Sequence, residues 1–410
     1  MKDVCVIGAG VAGLVAARYL REKFCVTVYE ASPSIGGIWL YNKHETGVKH
    51  TPMYKNLRTN LPKQLMTFRD LPYHKDIPTF LTHGQVMKYL EDYSEKFSIA
   101  DLIQFNTPVT SVKPETSTDP VKWIVSTANG QKTYDAVAVC TGSFNEPRYP
   151  DDIDLTNYSG AVYHSSTYKD PSDFTDHESI FVVGAANSAV DIALELWKAG
   201  KKIVLFHRKS EDLPGFPDDV IQIRKSISSL NNKDIKFNDG HSVICDAILM
   251  CTGFDTDVSF IDKSCGLSVK GDLTVVPLYL YMINPHFPSM ALFDRLFTIT
   301  PFLLCEYQAI LFAKLLNKTV KLPSETHCML KEANNLINHS KRLSDRKLYL
   351  STNGMQNHMD YYREIGNIIG DHLIEYEYGV TLHEKVLHCR NINPLEYRDW
   401  PNSHWENLGF

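Results

Sequence analysis

The chain of 410 residues has nine cysteines but no CxxC pair. The two nearest in sequence, Cys245 and Cys251, stand too far apart for a dithiol or zinc motif. Dithiol redox chemistry and a metal centre are therefore not expected. Cys5, Cys140 and Cys251 instead sit in apolar, strand-like runs, where cysteine behaves as a small hydrophobe. No apolar run reads as a membrane span. Phe297 to Leu316 comes nearest, but Pro301, Glu306 and Gln308 mark it as a buried helix. Charge of either sign is not in excess: 42 Lys and Arg against 48 Asp and Glu leave a net charge of −6. That gives no reason to expect nucleic acid or an anionic membrane as partner, and suits a neutral or cationic small substrate better. Low-complexity tracts and short-period repeats are also missing. No leader-like segment precedes the first motif, so the expected location is cytoplasmic, or outside the cell if a leader has been removed.

What remains is an ordinary globular composition, 43% hydrophobic and 22% charged, on a chain long enough for two domains. Val4 to Ile7 reads as a short buried strand, followed by a glycine turn, helical spacing from Leu14 to Leu20, and a second strand from Cys25 to Glu30. This β-turn-α-β order opens a parallel, doubly wound α/β sheet. The same order recurs with a strand at Ile180 to Val183, a turn at Gly184 to Ala189, a helix at Val190 to Trp197 and a strand at Ile203 to His207. Each unit is answered later by an apolar strand ending in Thr-Gly, at Ala136 to Gly142 and at Ala247 to Gly253. We therefore expect two dinucleotide-binding domains, the second (155–250) inserted between the two parts of the first (1–154 and 251–410). Pro114 to Pro120 and Ser228 to Asp239 read as polar turn material. The end of the chain, from about Asn391, reads as a tail lying on the surface.

The first turn, Gly8-Ala9-Gly10-Val11-Ala12-Gly13, is G-x-G-x-x-G between strand and helix. Its glycines permit a sharp turn, close approach to a pyrophosphate, and tight helix–strand packing, while the helix N-terminus faces the phosphate charge. Glu30 closes the next strand, where a carboxylate accepts from ribose hydroxyls. Gly36-Gly37-Ile38-Trp39 follows and offers a second close backbone approach, with Trp39 either core or flavin contact.

The second turn departs from the pattern. In Gly184-Ala185-Ala186-Asn187-Ser188-Ala189, alanine at the third position is an accepted variant, but Ala186 at the second narrows the approach to a pyrophosphate. One reading is a unit that no longer binds. Against it, Arg208 ends the following strand where an acid would serve a 2′-hydroxyl, and arginine suits the 2′-phosphate of NADPH. Asn187, Ser188 and Asp191 complete the expected contacts.

Between the two units, Tyr158-Ser-Gly160-Ala-Val-Tyr-His164-Ser-Ser-Thr-Tyr168 resembles the flavin-containing monooxygenase signature FxGxxxHxxxY/F, with Tyr158 for the leading Phe. Related Baeyer–Villiger enzymes carry Trp where this chain has Tyr168. Met53 to Asn60 resembles the family segment whose Asn lies beside the flavin, and Thr141-Gly142 and Thr252-Gly253 resemble its Thr-Gly strand ends. Pro288 onward and Pro301 to Gln308 are similar more loosely. The likeness covers most of residues 1 to 310; Thr59 to Met66 and Leu278 to Ser289 look most like insect members, which include pyrrolizidine alkaloid N-oxygenases. The long hydrophobic C-terminal tail of membrane-bound mammalian members is missing, which suits a soluble form.

The resemblance implies FAD in the first site and NADPH in the second. It implies an enzyme in which O2 is captured at C4a of the reduced flavin and one atom passes to a tertiary amine or sulfide, alkaloid nitrogen among the candidates. It implies a direct role for Asn60, cofactor contacts from Thr59 and Thr141, a bracing role for His164 and Tyr168, and self-association. The alternatives are a Baeyer–Villiger or N-hydroxylating monooxygenase, and a flavin-bearing binding protein with a disabled second site.

Overall fold

The computed structural model describes residues 1–42, 51–117, 120–270, 274–295, 300–323, 326–338, 354–371, 374–393 and 395–409. Two five-stranded parallel sheets organise it. The first comprises β1 (Asp3–Ile7), β2 (Cys25–Tyr29), β3 (Ile103–Gln104), β4 (Ala136–Val139) and β10 (Met290–Leu292), in the order β10-β4-β1-β2-β3. The second comprises β5 (Ala161–His164), β6 (Ser179–Val183), β7 (Lys202–Phe206), β8 (Ile221–Ile223) and β9 (Ala247–Met250), in the order β8-β7-β6-β9-β5. Chain order reverses beside the first strand of each unit, which is where open α/β sheets leave a ligand crevice at their carboxyl ends. The first sheet takes strands from before and after those of the second.

The strands are apolar on both faces because both faces are covered. Val4, Val6, Ala136 and Ala138 enter one cluster with the helix α1 (Val11–Arg21), whereas Cys5, Ile7, Val137 and Val139 enter another around Trp123. The second sheet divides in the same way. Ile180 and Val182 pack with Ala189 and Ile192 of the helix α3 (Asn187–Lys198), and Phe181 and Val183 pack with Phe206 and Phe237. The helix α2 (His83–Lys96) starts in a capping box made by Thr82 and Gln85. The helix α4 (Pro301–Leu316) is apolar almost all round and lies buried against α1. Its buried Glu306 accepts from the Tyr19 hydroxyl at 2.7 Å and the Arg69 amide at 3.1 Å, which satisfies the carboxylate. The helices α5 (Thr326–Asn338), α6 (Gly354–Ile369), α7 (Ile374–Ile392) and α8 (Asn402–Asn407) complete the described chain. Residues 297–299 of the expected buried helix lie outside the described residues. Among the described residues, no helix is long and apolar enough to cross a membrane.

Three expectations need correction. Pro114 lies within the strand Val109–Glu115, which pairs with Lys122–Thr127, so Pro114 and Glu115 are strand and not turn. Ser228 to Asp239 is largely a hairpin of Ile227–Asn231 and Asp234–Phe237. Its polar residues obscure the buried Leu230, Ile235 and Phe237 with which it covers the second sheet. The end of the chain does not merely lie on the surface. Tyr397 and Trp405 are buried, with rings 5.2 and 5.0 Å from that of Phe80, because aromatic bodies outweigh the polar residues between them.

Candidate functional site

Each glycine turn is built around a backbone that leaves no room for a side chain. Gly8 has φ +101°, and a Cβ there would lie 2.6 Å from the Cys140 carbonyl oxygen. Gly184 repeats this with φ +137° and 2.6 Å to the carbonyl oxygen of Cys251. In both units the strand that ends in Thr-Gly presses its cysteine carbonyl under the first glycine. A Cβ on Gly13 would stand 1.8 Å from the Gly8 oxygen, so this glycine is dictated by the turn itself.

Gly10 is the N-cap of α1 and has no side-chain cap, which leaves the first amides of the helix (Val11, Ala12) for a ligand. The Gly36 amide donates to the Ala9 carbonyl at 3.0 Å, and this brings Gly37, at the head of the short turn Gly37–Trp39, against Gly10. Ile38 and Trp39 line the same wall. Buried Glu30 accepts from the Ala9 amide at 2.6 Å and from the amide and hydroxyl of Ser32 at 2.8 and 2.7 Å. A carboxylate has about four acceptor positions, so one remains for a ribose hydroxyl. The residues therefore fit an ADP moiety.

In the second turn, Ala186 is the N-cap of α3, again without a side-chain cap. Its φ and ψ of −90° and −179° nearly match the −79° and −167° of Gly10, so alanine adopts this conformation without strain. The methyl group therefore costs only space toward a ligand. Asp191 accepts from Arg398 at 2.9 Å, Asn187 accepts from Arg390 at 2.5 Å, and exposed Arg208 is paired with Asp152. A 2′-phosphate would compete with Asp152 for Arg208.

Both turns open into one cavity of about 2140 Å³, which is lined by the cofactor-site residues expected from the sequence, Ser188 and Thr141 included, except Ala9 and Gly13, which are buried behind the first turn. That is about twice the upper end of ordinary small-ligand pockets, roughly 300–1,000 Å³, and suits two extended dinucleotides. Between the turns, the Thr59 hydroxyl accepts from the Leu81 amide at 2.9 Å, and this fixes the backbone next to Asn60. Among the described residues the Asn60 amide has no hydrogen-bond partner, and it faces the cavity. The thiols of Cys140 and Cys251 also line it. Burial raises both, Cys251 to about 12, so they stay protonated and take no part in thiolate chemistry. Among the described residues no cluster of His, Cys, Asp and Glu could hold a metal.

Sequence reasoning missed the pair opposite. Arg295 donates to the Gly142 carbonyl at 2.9 Å and to the Thr141 hydroxyl at 3.2 Å. Asp294, at φ +56°, faces the cavity beside it, and burial raises its carboxyl to about 6 against the lowering effect of Arg295. No local pattern signals these residues, since their role depends on β10 reaching β4.

The linker motif packs against the segment that carries Asn60. Tyr168 is buried with its ring 5.5 Å from that of Tyr54, in the segment that carries Asn60. His164 ends β5, where Nδ1 accepts from the Ser166 amide at 3.1 Å and the ring meets Phe254 at 5.3 Å. Burial lowers its pKa below the usual 6.5, so the folded protein holds it neutral. Below about pH 6.5 the unfolded chain takes up a proton that the folded chain refuses, and stability falls as pH drops. Thermal melts between pH 7.5 and 5.5 should show a smaller loss for His164→Gln than for the parent. An equal loss in both would mean that His164 is not the group responsible.

The comparisons agree with this geometry. A family model described as flavin-binding monooxygenase-like matches residues 1–213. Flavin-containing monooxygenase FMO GS-OX-like 4 of Arabidopsis thaliana is 31% identical over 359 residues, covering 80% of this chain and 78% of the relative. The solved structure of S-allyl-L-cysteine S-oxygenase from Allium sativum matches with a TM-score of 0.86 at 28% identity, covering 99% of this chain and 97% of that one. An open structure of cyclohexanone monooxygenase matches with a TM-score of 0.61 at 14% identity, covering 81% of this chain and 91% of that one, a likeness of fold alone.

Proposed function

The chain belongs to the flavin-binding monooxygenase-like family, whose members use FAD and NADPH, and from this premise we propose that it transfers one oxygen atom of O2 to a soft nucleophile, a sulfide sulfur or a tertiary amine nitrogen. The observation that carries the proposal is that one cavity joins both glycine turns, with the Asn60 amide, unpartnered among the described residues, on its wall. We assign FAD to the first turn, with 1–154 and 251–410 as its domain, and NADPH to the second, with 155–250. Bound FAD, reduced by NADPH, supplies the oxygen-activating chemistry.

The chain's own residues bind, orient and shield. Gly8 to Gly13, Glu30 and Gly37 to Trp39 hold the adenosine half of FAD. Gly184 to Ser188 and Arg208 hold NADPH. Asn60 presents an amide that can both donate and accept, and it orients the reacting oxygen without exchanging a proton. Phe302, Val386 and Leu387 wall the cavity and limit water. No nucleophilic side chain is required. Sulfur is the first acceptor to test, given the likeness to an S-oxygenase. Nitrogen follows, including alkaloid nitrogen, as the other soft nucleophile of the proposal.

The test is incubation of the FAD-loaded protein with NADPH, air and a panel of sulfides and tertiary amines, with products read by mass. Products one oxygen heavier than the sulfide or amine are expected. Ester from added ketone would identify a Baeyer–Villiger enzyme instead. A flavin band that NADPH fails to bleach without oxygen would reduce the chain to a binding protein.

A further inference from the structure

The helix α7 reaches the second glycine turn. Arg390, in its last turn, is half-buried and lines the cavity wall. Its Nη1 donates to Asn187 Oδ1 at 2.5 Å, at the first residue of α3 and one position beyond Ala186. Among the described residues no carboxylate lies within ion-pair distance of Arg390. The other arginines of this region are occupied: Arg398 with Asp191, Arg208 with Asp152, Arg58 with Asp399, Arg148 with the Thr252 carbonyl, and Arg295 with Thr141 and Gly142. A half-buried cation whose described partner is a neutral amide calls for an anion. The uncapped amides of α3 face the same space and favour negative charge there. The nearest carboxylate on the helix, Asp191, is already neutralised by Arg398 and does not repel it.

We propose that Arg390 binds the pyrophosphate of NADPH, so that α7 supplies by charge what the Ala186 methyl withholds by blocking close backbone approach. This rests on reading the second turn as the NADPH site. The division of labour is definite: Arg208 selects the 2′-phosphate, and Arg390 holds the part common to NADPH and NADH.

The test is calorimetric titration of FAD-loaded protein with NADP⁺, NAD⁺ and 2′-AMP, which carries the 2′-phosphate but no pyrophosphate. Arg390→Ala should weaken NADP⁺ and NAD⁺ by a similar factor, roughly tenfold to a hundredfold, and leave 2′-AMP unchanged. Arg390→Gln, which can still donate to Asn187, should show the same loss with an unchanged melting temperature and FAD content. Arg208→Ala should instead weaken NADP⁺ and 2′-AMP and spare NAD⁺. If the parent protein does not bind NADP⁺, the NADPH reading itself fails. If it does and Arg390→Gln binds NADP⁺ within twofold of it, Arg390 is not a pyrophosphate ligand. Loss of 2′-AMP binding in Arg390→Gln would make the residue a structural tie between α7 and α3, and would equally overturn the proposal.

Discussion

Gly13→Ala should yield protein without FAD and less stable by about 3 kcal/mol or more. The new Cβ would lie 1.8 Å from the Gly8 oxygen and 2.8 Å from its carbonyl carbon, both backbone atoms. Gly8 cannot retreat, since its own Cα already faces the Cys140 carbonyl too closely for any side chain. The strain must therefore open the strand-to-helix turn. Gly10→Ala should behave differently. Its Cβ meets Gly37 at 3.4 Å, and Ala186 already occupies the corresponding position of the second turn with nearly the same φ and ψ. Its melting temperature in the absence of FAD should stay near that of the parent, while FAD affinity falls because the methyl occupies the approach to the pyrophosphate. Apoprotein melts and the flavin absorbance of the purified variants check both. A yellow Gly13→Ala protein with the parent's melting temperature would contradict the turn geometry.

Asn60→Ala should still consume NADPH but release hydrogen peroxide in place of oxygenated product. Product formed per NADPH should drop by an order of magnitude or more, the scale on which one oriented amide acts in a water-poor site. The argument rests on how Asn60 is held. Its neighbour Thr59 spends its hydroxyl on the Leu81 amide, and Tyr54 of the same segment packs on Tyr168. The Asn60 amide keeps its hydrogen-bonding capacity for the cavity. Removing it leaves the surrounding frame intact, so NADPH oxidation should continue at a comparable rate. Peroxide and product measured against NADPH consumed decide the matter. Unchanged coupling would remove Asn60 from the reacting centre.

The parts of the site legible in the sequence are those whose signal is local. The glycine turns announce themselves because Gly8, Gly13 and Gly184 meet constraints set within a few residues or by the adjoining strand. Glu30 stands at the end of the very next strand. Arg208 is proposed by the same rule. Arg390 and Arg295 are not, because each donates to residues between 153 and 203 positions away, and nothing in its own neighbourhood distinguishes it from a solvated charge; Asp294 is placed beside them only by the fold, its carbonyl accepting from Ser143, 151 positions away. The hairpin at Ile227–Asn231 was lost for a different reason: one face is wet, and its polar residues mask a two-residue period. Ala186 shows a third case, a departure visible in the sequence whose meaning depended on its φ. At a positive φ, alanine there would have argued for a disabled site; at −90° it argues only for a tighter one.

The seven buried cysteines have one more consequence. Burial raises the pKa of every one of them, including the two whose carbonyls support the glycine turns. Peroxide attacks thiolates far faster than thiols. A catalyst that handles activated oxygen thus keeps the sulfur nearest its chemistry in the form least open to attack. Cys25 and Cys328, both exposed, lie outside that protection and are where oxidative wear should register first.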